Sequence, residues 1–231
     1  MTALGRGFDL LLQRVGEPRD KPHIATVNVK NESGAVKMEI IKRLLGRMLD
    51  AGRRDQLIRQ VTLDALDEQG ISWNSGEKDY RKAIWALHSW FVERCEYRHD
   101  PAGVEYVTHP RRLFKDYLKT GRFVEDCDGL SLGLAAAASS CGFPSAVALV
   151  DTDKSGTLSH AMTAIKAPMR KAYRIPNPNL PGAPPRTWHA DREYLLCEVT
   201  KGAVRGGTLA YSPGWRPPGC TVVVLCGPLD S

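Results

Sequence analysis

The feature that most constrains the fold is a run of small and aliphatic residues from Gly129 to Cys141, GLSLGLAAAASSC, which contains no charged side chain. A helix of this composition has no polar side to turn toward water, so we predict a central, buried helix. Its Ala, Gly and Ser residues let neighbouring backbones approach closely. Gly142 and Pro144 come directly after it and are expected to end the helix.

The segments on either side of this helix differ in their hydrophobic period. Before it, apolar residues recur at three- and four-residue steps, which predicts amphipathic helices over 36–69 and 74–95. Helices followed by an antiparallel sheet define an α+β fold. The predicted strands are short apolar segments separated by turn-rich loops, at 145–150, 158–166, 194–199 and 220–226.

The first 35 residues form a lead-in segment. Its predicted elements, one or two helical turns around Leu10–Val15 and a weak strand, are too short to bury much surface by themselves, so we interpret 1–35 as an arm that packs on the main body or on a partner. Within the arm, the weak alternation over 23–30 predicts a strand. The helical region after it, 36–76, is interpreted as an extension that precedes the main domain.

Local signals fix several smaller features. Ser75 is a candidate N-cap, and Pro110 opens a short helix that ends at Gly121. The segment 151–156, DTDKSG, is expected to connect the first two strands of the sheet as a turn. The sheet region is interrupted by two Pro-rich loops, at 168–185 and 213–218.

The composition fits a globular chain, with 42% apolar and 25% charged residues. A mainly disordered or collagen-like protein is therefore excluded. No stretch reaches roughly eighteen apolar residues without a charge, so we expect no membrane span. The first residues lack the apolar core of a secretory signal, which predicts a cytoplasmic protein. The net charge of +6 is scattered and accompanies no groove-reading motif, which argues against a nucleic-acid partner.

The chain has six cysteines, and the question is which of them is reactive. It has no CxxC pair, which argues against a structural zinc site. It is also too long to need a disulfide scaffold, so we expect free thiols. Five of the six are expected inside helices or strands: Cys95 in a helix core, Cys141 at a helix end, and Cys197, Cys220 and Cys226 on strands.

Cys127 differs because it lies where an extended segment turns into the small-residue helix. Free N–H groups and the positive end of the helix dipole favour a thiolate there, which predicts a lowered thiol pKa. Asp126 is the expected N-cap, and the backbone N–H of Cys127 is placed to serve an oxyanion hole. The flanking carboxylates oppose the thiolate, so the site requires a cation nearby.

His160 is the expected source of that cation, because it lies on the second strand after the helix. An imidazole within reach of the sulfur forms the thiolate–imidazolium pair of nucleophilic catalysis. Glu198, on the next strand, is expected to accept a hydrogen bond from the other ring nitrogen. His189 competes as the base, but it comes after a Pro-rich loop that favours an exposed position. His88 and His99 are assigned to helix packing and to a turn.

At these residues the sequence resembles the transglutaminase-like (papain-like) superfamily of cysteine peptidases and acyltransferases, in a form typical of bacterial and phage-encoded members. DCDGLSLGLAAAASSCGFPSAVALV, SHAM and CEVT stand where the family has its Cys helix, His strand and acid strand. Upstream, AIWALHSWFVERCEYRHDP resembles the segments that precede the Cys helix. The resemblance covers about 77–200. Met162 replaces the family's aromatic residue, and Glu198 replaces its Asp.

The resemblance implies a papain-like core over 77–231, in which the small-residue helix packs on an antiparallel sheet. It also implies a triad of Cys127, His160 and Glu198, with no cofactor and no metal. A zinc site built from Cys127, His160 and Cys197 is the alternative. Successive residues of a strand alternate between its faces, so we expect only one of Cys197 and Glu198 to face the site, and the family pattern selects Glu198.

Two functions remain as hypotheses. In the first, Cys127 attacks a peptide, isopeptide or carboxamide carbonyl of a protein or peptide substrate, and His160 returns the proton to the leaving amine. Hydrolysis is favoured over transfer to an amine, because water is always present. In the second, the chain is a non-catalytic structural or assembly protein, such as a phage virion component. It would then be virion-associated and would bind an assembly partner through the arm, 1–35.

Overall fold

The computed structural model describes residues 24–27, 34–72, 80–100, 105–151, 159–166, 194–200 and 221–227 of the chain. Within these ranges it contains five helices and eight strands. The helices are α1 (Gly34–Arg53), α2 (Gln56–Glu68), α3 (Tyr80–Arg94), α4 (Pro110–Thr120) and α5 (Cys127–Ser140). The strands are β1 (Ile24–Val27), β2 (Cys95–Tyr97), β3 (Glu105–Thr108), β4 (Phe123–Glu125), β5 (Ser145–Asp151), β6 (His160–Lys166), β7 (Tyr194–Cys197) and β8 (Thr221–Cys226).

The order of these elements is compatible with the α+β class that the sequence predicts. The long helices come first, and the last four strands form one sheet in the order β7-β6-β5-β8. Each neighbouring pair in that sheet is antiparallel. The strand predicted over 23–30 is β1, and the short helix that opens at Pro110 is α4. Across the described ranges, the helices are too short or too polar to span a lipid bilayer.

Three short strands among the helices are not predicted by the sequence. β2 and β4 have three residues each and pair in parallel, while β3 pairs with β1. Strands of this length show no hydrophobic period, so only their pairing with a distant segment defines them. One prediction is corrected in consequence: Cys95 is buried, but it is the first residue of β2 and not part of a helix core.

Several predicted features lie outside the described residues, and so does most of the arm. Of the turn predicted at 151–156, between the first two strands of the sheet, the structure describes only Asp151. The other features outside the described residues are Ser75, His189, Cys220 and the Pro-rich loops at 168–185 and 213–218.

The central strand β5 is buried on both faces. All seven of its residues are buried, and its neighbours within the sheet are β6 and β8. Val147 and Leu149 belong to the apolar cluster that also contains the helices. Ala146 and Ala148 belong to a second cluster on the opposite face. The β5–β6 register, from Ser145↔Ile165 to Val150↔His160, sets His160 at the beginning of β6.

The helix α5 lies at the centre of the fold, which confirms the prediction of a buried helix. It contacts α1, α2, α3 and α4 as well as β5 and β6. Its small residues set these distances: a Cβ atom on Gly133 would lie 2.7 Å from Cδ2 of Leu113 and 3.0 Å from Cζ of Phe91. A Cβ atom on Gly52 of α1 would lie 2.8 Å from Cβ of Ala136. Larger residues at these positions would force the helices apart.

Both ends of α5 are closed by hydrogen bonds. The Asp126 carboxylate accepts the backbone N–H groups of Asp128 and Gly129, each at 3.2 Å, which confirms Asp126 as the N-cap. At the other end, Gly142 has φ +92° and the Phe143 N–H donates to the carbonyl of Ala138 at 3.1 Å. This is the glycine-terminated cap that stops a helix, as the sequence predicts.

An aromatic cluster anchors the segment that leads into α5. The Phe123 ring of β4 stacks on Phe91 with centroids 4.3 Å apart and on Tyr117 with centroids 4.4 Å apart. Trp90 and Phe114 contact the same ring edge-on, at 5.7 and 5.1 Å. Aromatic pairs in these geometries stabilise beyond their buried area. Rings from α3 and α4 therefore fix β4, and with it the start of α5.

The close approach of α1 to α5 yields a stability prediction. Gly52→Ala adds a methyl group against Cβ of Ala136 and Cβ of Pro110, which would lie at 2.8 and 3.2 Å. We expect the overpacking to exceed the gain in helix propensity, so the free energy of unfolding falls by about 1 kcal/mol. Chemical denaturation measures it.

Ser139→Ala is the control within α5. The Ser139 hydroxyl is buried, and no described group hydrogen-bonds to it. Its removal should leave stability unchanged or slightly raised. A Gly52→Ala protein that is as stable as the wild type would contradict the close-packing account.

Candidate active site

The chain places Cys127 at a defined point, the first residue of α5. β4 runs in parallel with β2 and delivers the backbone to Asp126, whose side chain then caps the helix. The side chain of Cys127 is partly exposed. The four other described cysteines, Cys95, Cys141, Cys197 and Cys226, are all buried. Among the described cysteines, Cys127 is therefore the one residue that is not fully buried.

The structure pairs His160 with Glu198. His160 Nε2 lies 2.7 Å from Oε2 of Glu198, and the Glu198 side chain is fully buried while that of His160 is 13% exposed. The other carboxylate oxygen, Oε1, accepts the backbone N–H of Thr200 at 2.8 Å and its hydroxyl at 2.6 Å. Glu198 lies one residue beyond the end of β7, rather than within a strand as predicted.

Burial by itself would raise the pKa of Glu198, but the hydrogen bonds and the charge of its partners act in the opposite direction. His160 and Thr200 together hold the pKa of Glu198 below its usual value. The carboxylate is therefore ionised at neutral pH. An ionised carboxylate acts only as an acceptor, so the His160 nitrogen that faces it carries the proton.

Two hydroxyl groups join α5 to β6 next to these residues. The Ser131 hydroxyl donates to the carbonyl of Ala161 at 3.1 Å, and the Thr163 hydroxyl donates to the carbonyl of Ser131 at 2.8 Å. The backbone N–H of Ala161 hydrogen-bonds to the thiol of Cys127. The sulfur therefore lies against the residue directly after His160.

The surroundings of this sulfur disfavour a negative charge. Burial raises the pKa of the Cys127 thiol above its usual value, and the carboxylates of Asp126 and Asp128 raise it further. The hydrogen bond from Ala161 lowers it in part. The prediction of a lowered thiol pKa is thus wrong in direction, because desolvation and two adjacent charges outweigh the helix N-terminus. At rest, the side chain is a thiol.

Tyr97 is a residue of this site that the sequence does not single out. Parallel pairing of β2 with β4 sets Tyr97 opposite Glu125, two residues before Cys127. Burial is the largest cause that raises the pKa of Tyr97 to about 12, and the nearby carboxylate of Asp126 adds to it. The phenol therefore stays protonated at neutral pH, on the strand that pairs with the segment leading into Cys127. Only the pairing of two unpredicted strands reveals it.

The sequence leaves two alternatives open: His189 as the base, and a zinc site that includes Cys197. His189, the competing base, lies outside the described residues. For the zinc alternative, Cys197 is fully buried in the core, whereas its neighbour Glu198 is the residue bonded to His160. In the part of the chain that the structure describes, no three His, Cys, Asp or Glu side chains form a group able to hold a metal ion.

In comparisons with protein-family models, curated proteins and solved structures, nothing matches this chain. The site is therefore characterised by its own geometry. That geometry is a partly exposed thiol at the start of a buried helix, and a histidine bonded to a buried, ionised glutamate.

The thiol's surroundings yield a first prediction. Asp126→Asn keeps a side-chain oxygen for the helix cap but removes a negative charge near the sulfur. Because that charge raises the pKa of Cys127, its loss should increase alkylation of Cys127 at neutral pH by roughly threefold or more. The rate is measured with iodoacetamide and peptide mass spectrometry. Asp55→Asn, the same change at the N-cap of α2, is the control and should have no effect. An unchanged or slower rate in Asp126→Asn would refute the electrostatic explanation.

Glu198 yields a second prediction, on stability. Thr200→Val removes a hydroxyl that donates to the ionised carboxylate. At neutral pH this should lower the free energy of unfolding by about 1.5–3 kcal/mol, the typical value for a hydrogen bond to a charged group. Because the native pKa of Glu198 is lowered, the contribution is present above the ordinary Glu range. It should disappear as the pH falls through the lowered native value.

Urea denaturation at several pH values measures this effect. Thr62→Val is the matched control, because the Thr62 hydroxyl is also buried but donates to a backbone carbonyl, that of Ile58. Its cost should not depend on pH in this range. Equal pH dependence in the two variants would contradict the assignment to Glu198.

Proposed function

We propose that this protein is a cysteine-dependent acyl-transfer enzyme, with Cys127 as nucleophile, His160 as general base and acid, and Glu198 as the residue that orients His160. The observation that carries the proposal is the 2.7 Å hydrogen bond between His160 and the buried Glu198 carboxylate, in a fold that sets the backbone of Ala161, the residue after His160, against the partly exposed Cys127. A nucleophile, a base and an orienting acceptor are the parts that such catalysis requires.

The chemistry starts from a protonated thiol, since burial and two carboxylates raise the pKa of Cys127. His160 therefore removes the proton as the sulfur attacks, instead of forming a stable ion pair beforehand. Glu198 holds the proton on Nε2, which leaves Nδ1 as the basic nitrogen. The ionised Glu198 then stabilises the imidazolium that forms.

The proposed cycle has two steps, acylation of the sulfur and hydrolysis of the thioester. The sulfur bonds to the carbonyl carbon of a peptide, isopeptide or carboxamide, and the resulting oxyanion is bound by the backbone N–H of Cys127. The C–N bond breaks as His160 gives its proton to the leaving amine. Water then attacks the thioester carbonyl and gives a proton to His160, the C–S bond breaks, and the carboxylic acid is released. Proton return restores the thiol.

The proposed fold family is the transglutaminase-like (papain-like) superfamily. Its support is the order of the parts: a cysteine at the start of a buried helix, a histidine on the next strand pair, and an acid just after the following described strand. Hydrolysis is proposed over amine transfer, since it needs no second binding site. The proposal also includes protein or peptide substrates and a cytoplasmic location.

A second candidate function is favoured by one observation. The raised pKa of the thiol, with Asp126 and Asp128 beside it, suits a protein that retains the fold without catalysis. Such a protein would act in assembly, for example in a phage virion, with the arm at 1–35 as its partner-binding segment. The two candidates differ in whether the thiol is activated by His160.

The enzyme hypothesis predicts selective and histidine-dependent alkylation. Iodoacetamide should label Cys127 faster than the other cysteines near neutral pH, and His160→Ala should slow that labelling at least about tenfold. Peptide mapping by mass spectrometry measures each site.

Labelling in denaturant is the control, because all six cysteines then react alike. Accessibility alone would also favour Cys127, so the effect of His160→Ala is decisive. An unchanged rate in that variant would leave the assembly function as the better account.

A further inference from the structure

His88 lies in the middle of α3 and is almost fully buried, with 1% of its surface exposed. Its Nε2 lies 2.7 Å from the backbone carbonyl oxygen of Glu198. No group in the described ranges hydrogen-bonds to the opposite ring nitrogen, Nδ1. A buried polar side chain is costly unless it hydrogen-bonds. The contact with Glu198 is thus the polar interaction that a histidine provides here and a leucine would not.

The ring is neutral, and its proton can be assigned. Burial lowers the pKa of His88 below its usual value, although the nearby Glu198 opposes this. A neutral imidazole has one N–H group, and a carbonyl oxygen only accepts. The proton therefore lies on Nε2, and His88 donates to Glu198.

The position of this bond in the sheet explains its importance. The β6–β7 ladder ends at the pair Thr163↔Cys197, so Glu198 lies just beyond the last strand pairing. Its backbone is not held by the ladder there. The Nε2–H group of His88, on α3, hydrogen-bonds to the Glu198 carbonyl beyond the point where strand pairing ends.

Each of the three oxygen atoms of Glu198 accepts a hydrogen bond from a different residue. The backbone carbonyl accepts from His88 of α3, Oε1 accepts from Thr200, and Oε2 accepts from His160 of β6. Orientation of a catalytic base depends on such supporting contacts, since a displacement of about 1 Å can reduce a rate a hundredfold.

We propose that His88 is a positioning residue, whose Nε2–H fixes the Glu198 backbone so that the carboxylate meets His160. The catalytic consequence rests on the proposed function, whereas the structural consequence does not. His88 touches neither the thiol nor, on this proposal, the substrate.

The test uses the full-length protein and three variants. His88→Gln places an amide N–H close to the position of Nε2, His88→Asn is polar but too short to reach, and His88→Leu has no donor. The first readout is the downfield N–H proton resonance of the His160 ring, assigned by its loss in His160→Gln. The second is the alkylation rate of Cys127. Trp85→Gln, at an exposed position on the same helix, is the control.

We expect His88→Leu and His88→Asn to lose or broaden the His160 resonance and to slow alkylation roughly tenfold or more. His88→Gln should restore both readouts to near the wild-type values. If His88→Leu does not fold, the comparison between Gln and Asn decides. A His160 resonance that is unchanged in Asn or Leu, or that Gln fails to restore, would overturn the proposal.

The two proposals can fail separately. If wild-type Cys127 shows no His160-dependent reactivity, the proposed function fails. The His160 resonance still reports in that case whether His88 positions Glu198. If reactivity depends on His160 but not on His88, only the positioning role fails.

Discussion

The close packing of α5 is the constraint on which the rest of the structure depends. A helix packed against four other helices and against β3, β4, β5 and β6 has little room for side chains where its neighbours approach most closely. The sequence meets this with Gly, Ala and Ser, and with Gly52 on the facing helix. One consequence concerns function: the buried helix begins near the surface, so its first residue, Cys127, is partly exposed.

The site balances two electrostatic requirements at that residue. Asp126 is needed as the helix cap, yet its charge raises the pKa of the adjacent thiol. A preformed thiolate is thereby disfavoured. The opposite charge balance holds a short distance away, where His160 and Thr200 keep Glu198 ionised despite its burial. A protonated nucleophile and a histidine oriented by a carboxylate are the groups that general-base catalysis uses, which is the mechanism we propose.

Sequence patterns predict the parts of this structure that local chemistry controls. The Asp126 cap, the stop at Gly142 and the strands around Val147 follow from short-range signals, and the structure has them. Non-local features are different. β2 and β4 exist only because they pair, so Tyr97 and its place near the thiol are invisible in the sequence. The contact of His88 with Glu198 joins a helix to a strand end far along the chain. The direction of the thiol pKa depends on burial, which no local pattern measures.

The central claim is that Cys127, His160 and Glu198 act as one unit, and a double-mutant cycle on the alkylation rate of Cys127 tests it most directly. The cycle compares the wild type, His160→Ala, Glu198→Gln and the double variant. If Glu198 acts through His160, Glu198→Gln slows the reaction in the wild type but has no further effect once His160 is absent. Independent, multiplying effects of the two changes would contradict the account.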